Sequence, residues 1–446
     1  MPYTEAETDT CFKLSLISSR AEREKDFKFT SLAHLLNKSF LSDCYDSLNK
    51  ESAVGIDNVS HEEYGKSLDA NLESLVVRLK STKYKPLPSK RVYIPKGKDE
   101  KRPLGISALE NKIVEAGITQ ILERIYEEDF LDISYGFRPN RNCHQAISKI
   151  DNLIRLKPVN HLVEADIKGF FDSVSHEVLL NFIKVRVVDT RFLELIRRFL
   201  KAGYIDNNLL VKSESGTPQG SILSPILANI FLHYVLDIWF ESTVKKHVKG
   251  YCELVRYADD FVCLVQYETD ACKIERALKN RLEKYGLTIH PEKSRKFSFG
   301  RFEQQNADKQ NRKPNTFDFL GFKHFCTVTL KGKFKVGHIT SRKKFAVKCK
   351  EMNQWLKTVR NACKAKEWWK TLKAKLTGHY NYYGISGNIR SIAKYHFITI
   401  RLVKKWINRR SQKKSMNWQM FQNYLKCYPL PKPEIKLNIY TLSNGV

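Results

Sequence analysis

Three aspartates carry the first sign of chemistry. Asp259 and Asp260 stand side by side between Leu254-Val255 and Phe261-Val262, and Asp166 closes the run His161-Leu-Val-Glu-Ala-Asp166. An Asp-Asp pair alone is ordinary turn chemistry, because Asp tolerates the left-handed backbone that a tight turn demands. Here the flanks are apolar, so the pair reads as a hairpin tip projecting from buried strands. Like charges clustered there are costly unless a cation compensates them. Joined by Asp166, which lies 93 residues before Asp259, they offer hard oxygen ligands for divalent ions such as Mg²⁺. Two such ions activate a hydroxyl and hold a triphosphate with its leaving pyrophosphate, which is the chemistry of nucleotide addition.

That chemistry obliges the fold to bring a strand end and a hairpin tip together. Residues 1–50 read as short helical segments, with Leu32, Leu35, Leu36, Phe40 and Leu41 at helical spacing. Glu62–Lys80 reads as one amphipathic helix, and Arg91–Lys96 with Pro103–Ile106 as the arms of a β-hairpin. A long helix is expected from Leu109 to Phe130, and a strand over His161–Asp166. Helical periodicity returns over 178–182 and 192–200, and Gly216-Thr-Pro-Gln-Gly220 breaks the chain before another helix. Leu254–Tyr257 and Phe261–Val265 flank the aspartate turn as strands. Beyond it, Thr269–Tyr285 is helical, 287–291 and Phe317–Phe322 are extended, and 306–315 is a polar surface loop. The expected units are a helical extension (1–50), a mixed unit (51–160), a sheet unit with the aspartates (161–330), a helical unit (331–435) and a tail (436–446).

A chain of 446 residues exceeds one compact core and fits two or three packed units. Its 42% apolar content excludes a disordered or fibrous class. The net charge is +29, and most of it sits at the rear: residues 331–446 hold 27 Lys and Arg against Glu351, Glu367 and Glu434. A single Lys is ordinarily a solvated surface cation, but so lopsided a segment implies a polyanionic partner. Trp355, Trp368, Trp369, Tyr380, Tyr382, Tyr383, Trp406 and Trp418 are interleaved with these cations. Such a mixture can stack bases and track phosphates, although most aromatics at helical spacing belong to a core. The ten cysteines include no Cys-x-x-Cys pair, so free thiols in a reducing compartment are expected and a structural zinc site is not. The first ten residues, MPYTEAETDT, are wrong for a signal peptide. The longest apolar run, Ile222–Phe240, is interrupted by Asn229, His233 and Asp237 and reads as a core helix. A cytoplasmic protein without a membrane partner is the expectation.

Several blocks, in order, resemble one family. Tyr257-Ala-Asp-Asp260 resembles the Y-x-D-D box of reverse transcriptases, and Ala165-Asp-Ile-Lys-Gly-Phe-Phe-Asp172 their first catalytic block. Gly216-Thr-Pro-Gln-Gly-Ser221, with Ile222–Phe231, is similar to the block that contacts primer and nucleotide. Arg102-Pro-Leu-Gly-Ile106, Ser134-Tyr-Gly-Phe-Arg-Pro-Asn-Arg141 and Phe319-Leu-Gly-Phe322 resemble blocks of the bacterial group II intron-encoded reverse transcriptase/maturase branch. Gly378–Gly384, Arg409-Arg-Ser-Gln412 and Tyr428–Pro433 resemble its thumb, or maturase, domain. The likeness covers about residues 50–435. Only about 15 residues follow the Pro-rich segment, which resembles the branch without a C-terminal endonuclease.

The resemblance implies an α+β right-hand polymerase, with fingers and palm built on antiparallel sheet flanked by helices and an all-helical basic thumb. It implies RNA-templated DNA synthesis from a DNA primer with dNTPs and two Mg²⁺ ions, Mn²⁺ being an alternative. Asp166, Asp259 and Asp260 would hold the metals, assisted by the backbone at Ile167. Lys96 and Arg102 would hold the triphosphate, Phe171 would be the steric gate against a ribose 2′-hydroxyl, and Gln219 would lie near the incoming base. Arg138, Lys293, Arg409 and Arg410 would contact nucleic acid. Glu110 stands where the branch often has an Asp and receives no role. The RNA is either an intron, served in splicing and mobility, or the dedicated non-coding RNA of a phage-defence enzyme. A splicing cofactor with a vestigial polymerase site is a third reading.

Overall fold

The computed structural model describes residues 5–96, 100–291, 294–362, 364–410 and 415–442. Helices α1 (Glu5–Arg23), α2 (Lys38–Ser47), α3 (His61–Gly65) and α4 (Leu68–Lys80) lead to the hairpin β1 (Ser89–Lys96) and β2 (Glu100–Ile106). Next come α5 (Leu109–Tyr126), α6 (Cys143–Leu156), β3 (His161–Asp166), α7 (Phe170–Ser173), α8 (His176–Ile183) and α9 (Thr190–Lys201). A second hairpin, β4 (Tyr204–Asp206) and β5 (Leu209–Val211), precedes α10 (Ser224–Leu232), which continues through π-helical turns at His233–Asp237 and Phe240–Val244 into α11 (Lys245–His247). The aspartate hairpin is β6 (Cys252–Tyr257) and β7 (Asp260–Val265), followed by α12 (Glu268–Lys284), β8 (Arg295–Ser298) and α13 (Glu303–Lys309). Strands β9 (Thr316–Phe319), β10 (Phe322–Val328) and β11 (Phe334–Thr340) introduce the rear helices α14 (Arg342–Ala362), α15 (Ala365–Tyr383), α16 (Ile389–Asn408) and α17 (Trp418–Cys427).

The strands form three sheets, ordered β2-β1-β4-β5, β6-β7-β3-β8 and β11-β10-β9. Antiparallel pairing dominates, with β1 and β4 parallel. This is the α+β polymerase architecture that the motif blocks implied. The central sheet explains the apolar flanks of the aspartates. On β7, Phe261, Cys263 and Val265 face the large core that contains α12, while Val262 and Leu264 face α6 and Phe317 and Phe319 of β9. Alternate side chains of a strand point to opposite faces, so a strand covered on both faces reads as an unbroken apolar run.

Several elements differ from the sequence expectation. The helix expected over Glu62–Lys80 is two, α3 and α4. Phe317–Phe322 is not one extended run: Phe317–Phe319 ends β9 and Phe322 opens β10, with Leu320 and Gly321 between them as a two-residue turn at φ 48° and 79°. Helix α13 occupies part of the expected polar loop because Glu303 is buried and receives bonds from Ser298, Arg312 and Asn315. The boundary expected at 331 falls inside the third sheet, so the rear helices begin at Arg342. Their core buries Trp368, Trp369, Tyr380, Tyr383 and Trp406, as helical spacing suggested, and leaves Trp418 exposed. The expected tail is anchored: Leu437 bridges to Ile385, and the carbonyl of the fully buried Ile439 accepts from Ser148 at 2.6 Å. No helix among the described residues is long and apolar enough to cross a membrane.

Candidate active site

Strands β3 and β7 are neighbours, and their register sets Asp166 directly opposite Asp260. On the other side of β7, Tyr257 pairs with Asp260, which leaves Ala258 and Asp259 as a two-residue turn. All three carboxylates therefore leave one end of the sheet, Asp260 exposed and Asp166 and Asp259 half-buried. The strand end is itself fixed: the Asp166 amide donates to Ser294 Oγ at 3.2 Å, and its carbonyl accepts from the His290 amide at 2.8 Å. Ile167, beside it, bridges to Ile289. Among the described residues no group of three or more His, Cys, Asp or Glu forms a self-sufficient metal cluster. The donor set is nonetheless hard oxygen, the kind Mg²⁺ takes when waters and substrate phosphates complete its shell.

The turn differs from expectation in one respect. Its left-handed residue is Ala258, at φ 56°, not an aspartate. A positive φ is uncomfortable for alanine, and such strain persists only where the surroundings over-determine it. They do here. Arg256 is wholly buried and donates through Nε and Nη2 to the two carboxylate oxygens of Asp237, at 2.8 and 2.5 Å. Its Nη1 reaches Asn229 Oδ1 at 3.0 Å and the Ala258 carbonyl at 3.1 Å. Asn229 in turn donates to the Gly136 carbonyl at 2.8 Å. The segment 133–136 runs alongside, with the Arg256 amide donating to Ile133 and the Tyr135 amide donating to Arg256. A Cβ on Gly136 would lie 2.3 Å from the Ala258 nitrogen, so only glycine lets this segment press against the turn.

The polar interruptions of the apolar run Ile222–Phe240 are thereby explained. Asn229 and Asp237 grip the aspartate hairpin from beneath. Asp237 closes a π-helical turn, a distortion that often marks functional sites. Burial lowers the pKa of His233, in the same turn, to about 4. Sequence reasoning missed Arg256, Asp237 and Asn229 as a set. The available signal was the helical spacing of Asn229, His233 and Asp237 on one face of an apolar run; Arg256, on strand β6, gave none.

A second group of predicted residues gathers at the loop 216–220, which is bonded to the segment 171–174 that follows Asp166 in the chain. The Gly105 amide of β2 donates to the Gln219 carbonyl at 2.6 Å, and a Cβ on Gly220 would meet the Gly105 carbonyl at 2.6 Å. The side chains join too: Arg102 Nε donates to Gln219 Oε1 at 3.2 Å, and Gln219 Nε2 donates to Asp172 at 3.3 Å. Phe171 sits on the one-turn helix α7 behind left-handed Gly169, half-buried, its carbonyl accepting from Thr217 at 2.7 Å and its ring edge-on to Phe170. Beneath the loop, Glu115 is buried and accepts from the Ile222 amide and Ser107, both at 2.9 Å; burial still pushes its carboxyl up. Thus Arg102, Gln219 and Phe171 share the loop 216–220. Lys96 pairs with Glu100 at the far end of the hairpin, and its side chain lies outside the described residues, as does Lys293.

Arg138 corrects the sequence reading. It is buried, and all five of its N–H groups are used: on Glu127 at 2.7–3.1 Å and on the carbonyls of Phe130, Leu131 and Ser134. It fastens the segment that supports the aspartate turn and has no donor left for a phosphate. Arg409 and Arg410 are exposed at the end of α16, far along the chain from the aspartates.

Residues 94–324 match the family described as reverse transcriptase (RNA-dependent DNA polymerase). The chain belongs to the reverse transcriptase family. Within that family its likeness runs to group II intron-encoded proteins, as the motif blocks implied. The protein LtrA of Lactococcus lactis, so described, is 37% identical over 222 residues, 49% of this chain and 37% of that protein. Protein YkfC of Escherichia coli is 35% identical over 245 residues, 48% of this chain and 63% of that protein. A 91 kDa protein in the cob intron of Schizosaccharomyces pombe is 37% identical over 209 residues, 47% of this chain and 25% of that protein. The chain thus spans from a quarter to under two thirds of these relatives.

Proposed function

We propose that this reverse transcriptase extends a DNA primer on an RNA template, with Asp166, Asp259 and Asp260 holding two Mg²⁺ or Mn²⁺ ions. The observation that carries the reading is the register placing Asp166 opposite Asp260 with Asp259 in the adjoining turn. When bound, the ions supply an activated 3′-hydroxyl and neutralise charge on the triphosphate. The protein's share is positioning. The backbone at Ile167 lies beside Asp166 and completes the metal-facing end of the strand. Arg102 presents a planar fork to phosphate oxygens, with Lys96 further along the same hairpin. Phe171 excludes a 2′-hydroxyl, and Gln219 steadies the nucleotide from the loop that ties β2 to the sheet. Fingers, palm and thumb correspond to about 51–160, 161–330 and the rear helices, with Arg409 and Arg410 on RNA phosphates. The biological setting we assign is group II intron splicing and mobility, on the strength of the relatives' names.

The test is primer extension on an RNA template with dNTPs and Mg²⁺, comparing the chain with Asp259→Ala/Asp260→Ala. Synthesis by the first and none by the second is expected. Equal synthesis by both would reject the assignment of the aspartates.

A further inference from the structure

From Trp368 to Pro433 the chain contains 14 Lys and Arg and no Asp or Glu. Cations in this stretch therefore have no acidic neighbours in sequence to neutralise them. One exposed stripe of α16 carries Lys394, Phe397, Arg401 and Lys405 at helical spacing. Beside it runs a groove lined by Arg401, Leu402, Lys404, Lys405, Asn408 and Trp418. Phe397 is 59% exposed and Trp418 48%, large apolar faces that a helix surface rarely leaves open. Each has a cation over its ring: Arg401 lies 5.7 Å from the centre of Phe397, and Lys404 lies 4.5 Å from that of Trp418.

Trp418 is held in place by design of its surroundings. Asn408 at the end of α16 donates to the Met416 carbonyl at 3.0 Å and accepts from the Met416 amide at 2.9 Å. Asn417 caps α17 by accepting from the Met420 amide at 2.8 Å, and Phe421, one turn on, is fully buried. The indole is thus a fixed wall, not a stray side chain.

We propose that this groove binds an unpaired nucleic-acid strand, with bases stacked on Trp418 and Phe397 and phosphates along Arg401, Lys404 and Lys405. Charge alone would suit a duplex equally well. The exposed rings decide against it, because base faces in a duplex are covered by their neighbours and only an unpaired strand can offer them to an aromatic wall. From Phe397 to Asn408 the helix rises about 16 Å at 1.5 Å per residue, room for a few nucleotides. The groove is separate from the aspartates and from the loop 216–220, so it is a second site, for a strand flanking the one being copied.

The experiment measures binding of the full chain, without dNTPs, to unstructured oligo(rA), oligo(dA) and a blunt RNA duplex by fluorescence anisotropy. Trp418→Ala is expected to weaken an unpaired strand roughly tenfold or more, with duplex affinity within about twofold, and Trp418→Phe to recover most of the loss. Loss on oligo(rA), oligo(dA) or both supports the site and identifies the strand. Arg401→Ala/Lys404→Ala should lower the slope of log K against log salt by about 1.4. Phe397→Ala gives an independent reading if Trp418→Ala fails to fold. Unpaired-strand affinity unchanged in both aromatic variants, or an equal fall on the duplex, overturns the proposal. So does loss of binding to phosphatidylserine vesicles with oligonucleotide affinity intact. A chain inactive in primer extension that still shows the Trp418 effect keeps this site and rejects only the polymerase.

Discussion

Arg256 and Asp237 meet through two hydrogen bonds with neither side chain exposed, three and 22 residues from Asp259. An ion pair so placed is weak evidence of net stabilisation, yet removing one partner strands a buried charge. Asp237→Ala should therefore cost about 3–5 kcal/mol in denaturant titrations. A cost below about 1 kcal/mol would mean that water reaches Arg256 and that the turn is not pinned as described.

Gly136 makes a separable prediction, since it touches the turn without contributing a side chain. Its substitution by alanine forces a Cβ toward the Ala258 nitrogen and the Tyr257 carbonyl carbon, at 2.3 and 2.9 Å. Displacing Asp259 by even about an ångström should slow single-turnover nucleotide addition on the order of 100-fold. RNA affinity should stay within about twofold, because the rear helices are untouched. Full-rate addition would show that the turn tolerates the shift.

Phe171 presents a narrower question. If its half-buried ring blocks a 2′-hydroxyl, Phe171→Ala should raise rNTP incorporation relative to dNTP by about tenfold or more. Parallel extensions with each nucleotide set would measure it. Unchanged selectivity would return Phe171 to the role of a core aromatic against Phe170.

Asp151 gives a pH prediction. It is fully buried on α6, between His338, whose Nε2 is 3.9 Å away, and Arg155, whose Nε is 3.9 Å away. Burial raises its pKa from 3.8 to about 7, against the pull of Arg155 and Lys335. The folded chain thus keeps a proton that the unfolded chain releases near pH 4. This group's contribution to stability is present below that pH and lost as pH rises toward 7. Asp151→Asn should accordingly raise the melting temperature at pH 8 and change it little at pH 4. A larger gain at pH 4 would reverse the sign and refute the assignment.

The parts of this fold that could be read from sequence share a cause. Strand β7 is buried on both faces, so its apolar run is unbroken and opens on Asp260, and its neighbour β3 closes on Asp166. Short strands such as β4 and β8, of three and four residues, contain too few alternations to announce themselves. Arg138 misled because a cation in a basic chain looks like a phosphate contact, whereas burial among carbonyls leaves no trace in composition. The Arg256–Asp237 pair was hidden because its members belong to different elements and meet only after the helix widens into a π turn. Ala258 was hidden for the opposite reason: its conformation comes from Gly136 and Arg256, and nothing in alanine's own chemistry predicts it.

The anchored segment around Ile439 bears on how the molecule is made. It joins Ser148 on α6 across 291 residues and Leu437 pairs with Ile385 beside α15, yet it follows both in the chain. Sequence separation of that size makes closure slow, because loop entropy must be overcome before the contact forms. During synthesis the earlier helices leave the ribosome with an unsealed seam between them. A message truncated before codon 437 would yield a protein with its aspartates in order and its rear helices unfastened, a natural client for chaperones and proteases.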